Sequence, residues 1–428
     1  MLDLVIRNAN LPDGRTGVDI AADNGCIVDV GPRLEVQADR EIDATDRLVS
    51  PPFVDSHFHL DSTLSYGQPR VNRSGTLLEG IELWGELKPH LTVDNIKARA
   101  GELCRWAIAR GTLAIRSHVD VSDDKLVAVK ALLELRDEIK PYIDLQLVAF
   151  PQDGYYRHGP CAANLERALD LGVDVVGGIP HFERTMTEGA ASVKALCEMA
   201  AGHGLQVDMH CDESDDPHSR HIETLTFHTR RLGLEGRVTG SHLTSMHSMD
   251  NYYASKLIPL MAEAQLHVVA NPLINITLQG RHDTYPKRRG MTRVKELMEA
   301  GVNVAFGQDA LMDPWYSLGS YDMLEVAHMG LHVAQMTGVE QMQQMFAAVT
   351  TNAAKVLGLE NYGLEPGCHA DMVILQAASP QEALRLKPAR LFVIRRGTVI
   401  AETPPVVSRL DLADRSYRVD FRFPTDSN

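Results

Sequence analysis

The sequence predicts a (β/α)₈ barrel flanked by a small β-sandwich that both chain ends build together. Short runs rich in valine, isoleucine and leucine recur along the chain, separated by stretches with leucine, methionine and alanine at helical spacing. The eight candidate strands are residues 48–59, 112–120, 144–152, 173–181, 205–213, 237–244, 267–273 and 302–310. Candidate helices between them include residues 123–140, 190–203 and 250–264. An open doubly wound sheet would show the same alternation, but a count of eight favours the barrel.

Polar and titratable side chains cluster near the carboxyl ends of the candidate strands. They are His57, His59, Gln152, His210, Glu213, His242 and Asp309. Active sites of (β/α)₈ barrels lie at that end of the strands. We therefore expect these side chains to meet in one site.

Both chain ends are rich in candidate strands outside the barrel. They are residues 4–8 and 25–30 at one end, and residues 371–375, 391–394 and 398–401 at the other. Neither end alone has enough strands for a stable core. We predict one composite β-sandwich domain of residues 1–50 and 360–428, beside a catalytic barrel of residues 51–359.

The composition indicates a globular protein that does not bind nucleic acid. The chain has 428 residues, 44% hydrophobic and 23% charged, with a net charge of −15 and no basic run to gather phosphates. Its six cysteines are scattered, which argues against a disulfide framework or a cysteine-ligated zinc site and favours the reducing cytoplasm. The first residues do not resemble a signal peptide, and no stretch reaches the ~18 apolar residues of a membrane span. We expect a soluble protein with no membrane partner.

The first candidate metal-binding motif is His57-Phe-His59, at the end of the first barrel strand. Side chains alternate along a strand, so the two imidazoles point the same way and can share a metal ion. Taken alone, the motif is equally well explained as two polar residues at a strand end.

Three further sites follow along the chain: His210 with Glu213, then His242, then Asp309. His210 ends an apolar strand and Glu213 follows it, where a glutamate can act as general acid or base or simply cap a helix. Asp309 can complete a metal shell of three histidines and one aspartate, or cap the next helix. His242 is either a further ligand or a donor to the nucleophile. The four sites together form a pattern far more specific than its parts.

The joint pattern resembles the amidohydrolase superfamily and, within it, the bacterial cytosine deaminases. The resemblance covers nearly the whole chain, including residues 74–81, 118–122, 148–152, 210–213, 270–273, 279–281, 283–290 and 313–316. It implies a (β/α)₈ barrel with a β-sandwich from both termini, and deamination of a free pyrimidine base to the corresponding uracil and ammonia.

The resemblance also implies a role for each site residue. The metal ligands are His57, His59, His210 and Asp309, which bind one divalent ion, iron or zinc. Glu213 is the proton shuttle, and His242 and Asp309 hold the hydroxide nucleophile in line. The substrate contacts are Gln152, which grips the amide edge of the pyrimidine, with Leu77, Ala310 and Trp315.

The end of the eighth strand departs from the family. Typical members have His-Asp-Asp there, whereas this chain has Gln308-Asp309-Ala310. The ligand is kept, but the carboxylate beside the substrate ring is replaced by a methyl group, which removes a charge and leaves space. We therefore expect the site to accept a 5-substituted cytosine, such as 5-methylcytosine, at least as well as cytosine.

The sequence leaves some alternatives open for the substrate, the reaction and the roles of two histidines. The loss of an acid leaves isocytosine, isoguanine or another cyclic amidine as substrates, and a cyclic amide hydrolase would use the same fold. A non-catalytic metal-binding scaffold is disfavoured because Glu213 and Asp309 are both present. His118 and His181 follow the second and fourth strands at the barrel mouth without an assigned role. The resemblance further implies a homo-oligomer, and the expected partner is a small nucleobase.

Overall fold

The computed structural model describes residues 1–413 and 415–422, which form an eight-stranded parallel barrel and a β-rich domain beside it. The strands in these ranges are β1 Leu2–Ala9, β2 Val18–Asp23, β3 Cys26–Gly31, β4 Ala38–Asp43, β5 Leu48–Ser50, β6 Phe53–Phe58, β7 Thr112–Asp120, β8 Asp144–Phe150, β9 Val175–Gly178, β10 Gln206–Cys211, β11 Val238–His242, β12 His267–Ala270, β13 Asn303–Phe306, β14 Met372–Leu375, β15 Arg390–Arg395, β16 Thr398–Glu402, β17 Ser408–Leu412 and β18 Arg415–Val419.

Helices connect the barrel strands and also cover the carboxyl ends of the barrel. The α-helices in the described ranges are α1 Leu77–Leu87, α2 Val93–Ala109, α3 Val127–Ile139, α4 Cys161–Asp170, α5 Met186–His203, α6 His221–Leu232, α7 Asn251–Glu263, α8 Pro272–Leu278, α9 Val294–Glu299, α10 Met323–Val333, α11 Val339–Ala347, α12 Thr351–Leu357 and α13 Pro380–Leu386. Short 3₁₀ helices lie at Lys88–His90, Pro180–Phe182 and Thr244–His247. None of the helices in these ranges has the length and apolar character needed to cross a bilayer.

The barrel is one parallel sheet in which every strand pairs with its sequence neighbour, from β6 through β13. A bridge between Phe58 and Asp309 joins the two edges of this sheet. There the amide of Asp309 donates to the carbonyl of His57 at 2.8 Å, and the amide of His59 donates to the carbonyl of Asp309 at 3.1 Å. The predicted (β/α)₈ class is confirmed.

Two short breaks change the predicted strand bounds. The candidate strand at residues 48–59 is two strands, because Pro51 and Pro52 lack the N–H groups that a continuous ladder needs. The first piece, β5, leaves the barrel and pairs with β14. The candidate strand at residues 302–310 ends at Phe306, because at Gly307 the chain passes so close to its neighbour that a Cβ would lie 2.7 Å from the carbonyl oxygen of His57.

Helix starts follow side-chain caps that apolar periodicity alone does not locate. The side chains of Thr76, Thr92, Thr185 and Asp250 accept hydrogen bonds from the first turns of α1, α2, α5 and α7. Helix α5 therefore begins at Met186, four residues before the predicted range 190–203.

Both chain ends contribute to the sheets outside the barrel. One sheet has the order β3-β2-β1-β4, and the other has the order β16-β15-β14-β5. Ile6 and Ile20 of the first sheet and Val49 and Ile374 of the second belong to one buried apolar cluster. The boundaries at residues 50 and 360 remain a prediction, and residues 414 and 423–428 of that predicted domain lie outside the described residues.

A buried arginine joins several strands in the barrel interior. The Arg116 side chain is fully buried, and its Nη1 lies 2.9 Å from Oδ2 of Asp208. It also donates to Gln146 Oε1 at 2.7 Å and to the carbonyl of Val356 at 2.9 Å, and contacts Gln206 Oε1. Because burial of a charge is costly without a partner, Arg116 and Asp208 depend on each other.

Replacing Arg116 with methionine should lower the free energy of unfolding by about 3–5 kcal/mol, because Asp208 then stays buried without its counter-charge. Urea denaturation followed by circular dichroism measures the change. Arg105→Met is the matched control, since Arg105 is largely exposed and forms its ion pair with Glu102 of the same helix. A midpoint unchanged in Arg116→Met would contradict this account.

Candidate active site

Four side chains converge at the carboxyl end of the barrel. The ligand atoms of His57, His59, His210 and Asp309 all lie within 4.8 Å of one another. Asp309 Oδ1 lies 3.3 Å from His57 Nε2 and 3.4 Å from His59 Nε2. These are the four ligands that the family resemblance implies, and the fold brings all of them together.

The local backbone explains the convergence. His57 and His59 are two residues apart at the end of β6, so both imidazoles face the barrel axis. The bridge across the barrel edge places Asp309 directly beside them. Asp309 has a left-handed φ of 68° and His242 one of 70°, a conformation that is uncommon for residues other than glycine and is found often at functional sites.

The donor set fits a divalent cation. His59 Nε2 and His210 Nε2 lie 3.0 Å apart, and neither ring nitrogen of the fully buried His57 has a hydrogen-bond partner among the residues that the structure describes. Burial raises the pKa of Asp309, but the imidazoles of His242, His57 and His59 outweigh it and hold the pKa well below its usual value. Nitrogen lone pairs and a carboxylate facing one point form a ligand set that suits zinc or iron.

A second group of possible ligands lies deeper in the barrel. The ligand atoms of His57, His118 and Asp208 also lie within 4.8 Å of one another. Asp208, however, already accepts from Arg116 at 2.9 Å and from Ser241 Oγ at 2.7 Å. Its charge is therefore balanced by the guanidinium, which favours the first group as the metal site.

Asp55 holds the backbone of both ligand-bearing segments, a role that motif reasoning did not assign. Its Oδ1 accepts from the amides of His57 at 3.2 Å and Gln308 at 3.1 Å. Its Oδ2 accepts from the hydroxyl of Tyr321 at 2.8 Å. Burial raises the pKa of Asp55 to about 7. In the sequence, Asp55 shows only as an acidic residue within an apolar candidate strand.

Glu213 lies in the turn after β10 and lines the same cavity as His59, His210 and Asp309. Burial, followed by the charge of Asp309, raises the pKa of Glu213 well above its usual value, so its carboxyl group is available as a proton donor. The preceding Asp212 fixes this turn by accepting from Ser219 Oγ at 2.7 Å and His221 Nδ1 at 2.8 Å. Glu213 is thus presented on a rigid turn.

Two asparagines set the hydrogen position on His242. The amide of Asn271 donates to Asn275 Oδ1 at 3.0 Å, which turns the Asn275 NH₂ group towards His242. That group lies 2.9 Å from His242 Nδ1, which must therefore accept. The proton of the neutral ring is then on Nε2, which lies 4.0 Å from Asp309 Oδ2. Asn275 was missed in the sequence because a polar residue within a short helix carries no distinctive signal.

A cavity opens from these side chains. Its polar lining is His59, Gln152, His181, His210, Glu213, His242 and Asp309, and its apolar lining is Leu77, Leu78, Ile81, Ile179, Phe182, Ile274, Leu278, Ala310 and Trp315. The predicted substrate contacts Gln152, Leu77, Ala310 and Trp315 all line it. The Trp315 ring packs over Gly80 of α1, where a Cβ would lie 2.3 Å from Trp315 Cδ1.

The wall at Ala310 is apolar. Ala310 forms one buried cluster with Ile274 and Leu278, and Trp315 packs against it. The neighbouring Gln308 side chain does not line this cavity and donates to the Ala310 carbonyl at 3.2 Å. The replacement at Ala310, rather than the one at Gln308, therefore changes the cavity surface.

The two unassigned histidines have different positions. His118 is fully buried beneath the ligands, with its ring centroid 4.1 Å from that of His57, and is not at the barrel mouth. His181 does line the cavity, and its Nδ1 lies 3.2 Å from the carbonyl oxygen of His210.

The chain is similar to proteins of known structure and activity. A model of the amidohydrolase family matches residues 40–406. Structures of a 5-methylcytosine deaminase from Klebsiella pneumoniae with phosphonocytosine and with 5-fluorocytosine align with TM-scores of 0.92 and 0.91, at 41% and 42% identity, over 94% and 95% of this chain and 99% of that one. N-isopropylammelide isopropyl amidohydrolase of Pseudomonas sp. (strain ADP) is 30% identical over 95% of this chain and 99% of its own length.

Replacing Asp309 with asparagine should reduce bound metal by more than about tenfold, because the only anionic ligand is lost. Inductively coupled plasma mass spectrometry of the purified protein measures metal per chain. Asp170→Asn, at the exposed end of α4, is the matched control and should keep its metal. Full metal occupancy in Asp309→Asn would refute the assignment.

Proposed function

The chain belongs to the amidohydrolase family, and from that premise we propose that it is a metal-dependent hydrolytic deaminase of a free pyrimidine base. The substrate is cytosine or a 5-substituted cytosine such as 5-methylcytosine, and the products are the uracil or thymine and ammonia. The observation that carries the proposal is the single cavity in which the metal-ligand group, Glu213 and the apolar wall at Ala310 meet.

We propose one divalent cation, iron or zinc, held by His57, His59, His210 and Asp309. A cation bound there lowers the pKa of water and so supplies a nucleophile near neutral pH. Three imidazoles and a carboxylate suit both metals, and cellular availability contributes to the choice.

The protein's own acids and bases then move the protons. Glu213, protonated in its buried position, donates to the ring nitrogen beside the amine-bearing carbon, and afterwards helps transfer a proton to the departing ammonia. The Nε2–H of His242 and the ionised Asp309 orient the attacking water, with Nε2 4.0 Å from Asp309 Oδ2, while Nδ1 of the same histidine lies 3.5 Å from Glu213 Oε1. Water adds to the ring carbon and gives its first proton to Asp309. The Glu213 carboxylate carries the remaining hydroxyl proton to the amine, the carbon–nitrogen bond breaks, and the carbonyl product and ammonia form. The proton on Asp309 then restores Glu213.

The remaining cavity residues position the ring. Gln152 offers both a donor and an acceptor, which matches the amide edge of a pyrimidine. Leu77 and Trp315 provide apolar surface for the flat ring. Ala310, with Ile274 and Leu278 behind it, leaves an apolar space for a 5-methyl group.

Composition and the family resemblance support a proposal on the cellular setting. We propose that the enzyme is a cytoplasmic homo-oligomer acting on a small nucleobase, without nucleic-acid or membrane partners. Six free cysteines and a net charge of −15 support the compartment and the lack of polyphosphate partners. The oligomer rests on the family resemblance.

Purified protein loaded with iron or with zinc and assayed for ammonia release tests the function. Cytosine and 5-methylcytosine should both be substrates, with kcat/KM for 5-methylcytosine at least as high. Isocytosine and isoguanine complete the screen. Ammonia release from isocytosine or isoguanine alone would overturn the proposal, and so would the absence of ammonia release from every base. A roughly hundredfold preference for plain cytosine would overturn the part that concerns the 5-substituent.

Glu213→Gln should lower kcat by a factor of about 10²–10⁴, because glutamine cannot transfer a proton, while the bound metal is retained. Steady-state kinetics and metal analysis on the same preparation give both values. Glu198→Gln, on the exposed side of α5, is the matched control and should keep full activity. Undiminished turnover in Glu213→Gln would show that this mechanism is wrong.

Ala310→Asp should shift preference towards cytosine, because a carboxylate fills and charges the space beside the 5-position. The ratio of kcat/KM for 5-methylcytosine to that for cytosine is the readout. Ala310→Val adds volume without charge and separates the two causes. If neither variant changed the ratio, Ala310 would not be the selecting residue.

A further inference from the structure

Lys88 is a largely buried cation that the proposed chemistry does not use. It directly follows α1, the helix whose residues Leu77 and Ile81 line the cavity. Only 17% of its side chain is exposed. An ammonium group is costly to bury without partners, so the groups around it show which parts of the fold it joins.

Two carboxylates from neighbouring barrel strands balance this cation. Lys88 Nζ lies 2.6 Å from Asp153 Oδ2 and 3.2 Å from Asp120 Oδ2. Asp120 ends β7, and Asp153 belongs to the turn after β8. The lysine therefore joins the end of α1 to the carboxyl ends of two adjacent strands.

Asp153 directly follows Gln152, the proposed contact to the amide edge of the pyrimidine. The amide of Asp153 donates to Ser122 Oγ at 3.1 Å, and the amide of Ser122 donates to Asp120 Oδ1 at 2.7 Å. The backbone beside Gln152 is thus held in two ways, by a hydroxyl group and by the ammonium group of the lysine.

Helix α1 has a second anchor that does not involve the lysine. Trp84 Nε1 donates to Asp120 Oδ2 at 2.8 Å. The Trp84 ring also packs beside Trp315, with their centroids 6.0 Å apart. Removal of the ammonium group therefore leaves α1 attached to the barrel.

The two carboxylates would respond differently to the loss of Lys88. Both lie within 3.2 Å of its Nζ, so without the positive charge they repel each other. The Asp120 side chain is 5% exposed and is held by the indole, whereas the Asp153 side chain is 33% exposed. The displacement should fall on Asp153 and on the glutamine before it.

We propose that Lys88 is a positioning residue that, through Asp153, fixes the orientation of Gln152 towards the substrate. The inference rests on the proposed deaminase function and deepens it, because it names the group that holds a substrate contact in place. Lys88 itself does not touch the base.

Lys88→Met keeps the length of the side chain and removes its charge. We expect KM for cytosine to rise by about tenfold, with kcat changed by less than about threefold, because the metal ligands and Glu213 keep their contacts. The affinity of the metal-loaded protein for uracil, from titration calorimetry, should fall by a similar factor. Lys88→Arg keeps the charge and should restore most of the loss.

Lys97→Met is the matched control. Lys97 is similarly covered, with 22% of its side chain exposed, and its Nζ lies 2.9 Å from Glu134 and 2.7 Å from Glu138, both in α3. It bridges two carboxylates that do not line the cavity, so KM and uracil affinity should stay at wild-type values.

A combination with Gln152→Ala separates positioning from a general loosening of the fold. Once the glutamine side chain is gone, Lys88→Met should change uracil affinity by less than about twofold, because the contact that it positions is already lost. An equal tenfold loss in both backgrounds would show that Lys88 only supports the fold, and would overturn the inference.

Asp153→Asn breaks the same ion pair from its other side and should raise KM as Lys88→Met does. Failure of both variants to fold would make the contact a structural one and would also overturn the inference. Unchanged KM in folded Lys88→Met, with normal wild-type deamination of cytosine, would overturn the role of Lys88 alone. A wild-type protein that releases ammonia from none of the bases would instead overturn the function on which the inference rests.

Discussion

The closure of the barrel at one point is the constraint on which the site depends. The segment after β13 meets the end of β6 through two backbone hydrogen bonds, from Asp309 to His57 at 2.8 Å and from His59 to Asp309 at 3.1 Å. The same contact that closes the sheet therefore places three of the four proposed metal ligands side by side. Gly307 permits the close approach, and Asp55 holds both segments from beneath.

The barrel interior beneath the proposed ligands is polar, whereas branched apolar residues dominate most barrel cores. His118 packs against His57, and the ion pair of Arg116 and Asp208 lies further along the axis. Buried charges contribute little net stability, but each depends strongly on its partner. The arrangement balances Asp208 within the protein and leaves Asp309 as the carboxylate available to a cation. Polar packing beneath the ligands thus favours one metal position over a second, deeper one.

The sequence predicts the barrel because its strands follow from short-range periodicity, whereas the ligand set is predicted by the resemblance to the amidohydrolase superfamily. Alternation along β6 orients His57 and His59, and eight apolar runs suffice for the strand count. The sequence does not reveal Asp55 or Asn275, whose partners are brought near only by tertiary structure. The break at Pro51 was missed because two proline residues can also precede a strand. The apolar character around Ala310 depends on α8, a helix that periodicity did not predict.

We propose that one divalent cation lies between three imidazoles and one carboxylate, where the segment after β13 meets the end of β6. Anomalous diffraction at the metal absorption edge, from crystals of the metal-loaded protein, tests it most directly. A single strong peak within coordination distance of His57, His59, His210 and Asp309 is expected. A peak enclosed instead by His57, His118 and Asp208, or the absence of a peak from metal-loaded crystals, would contradict it.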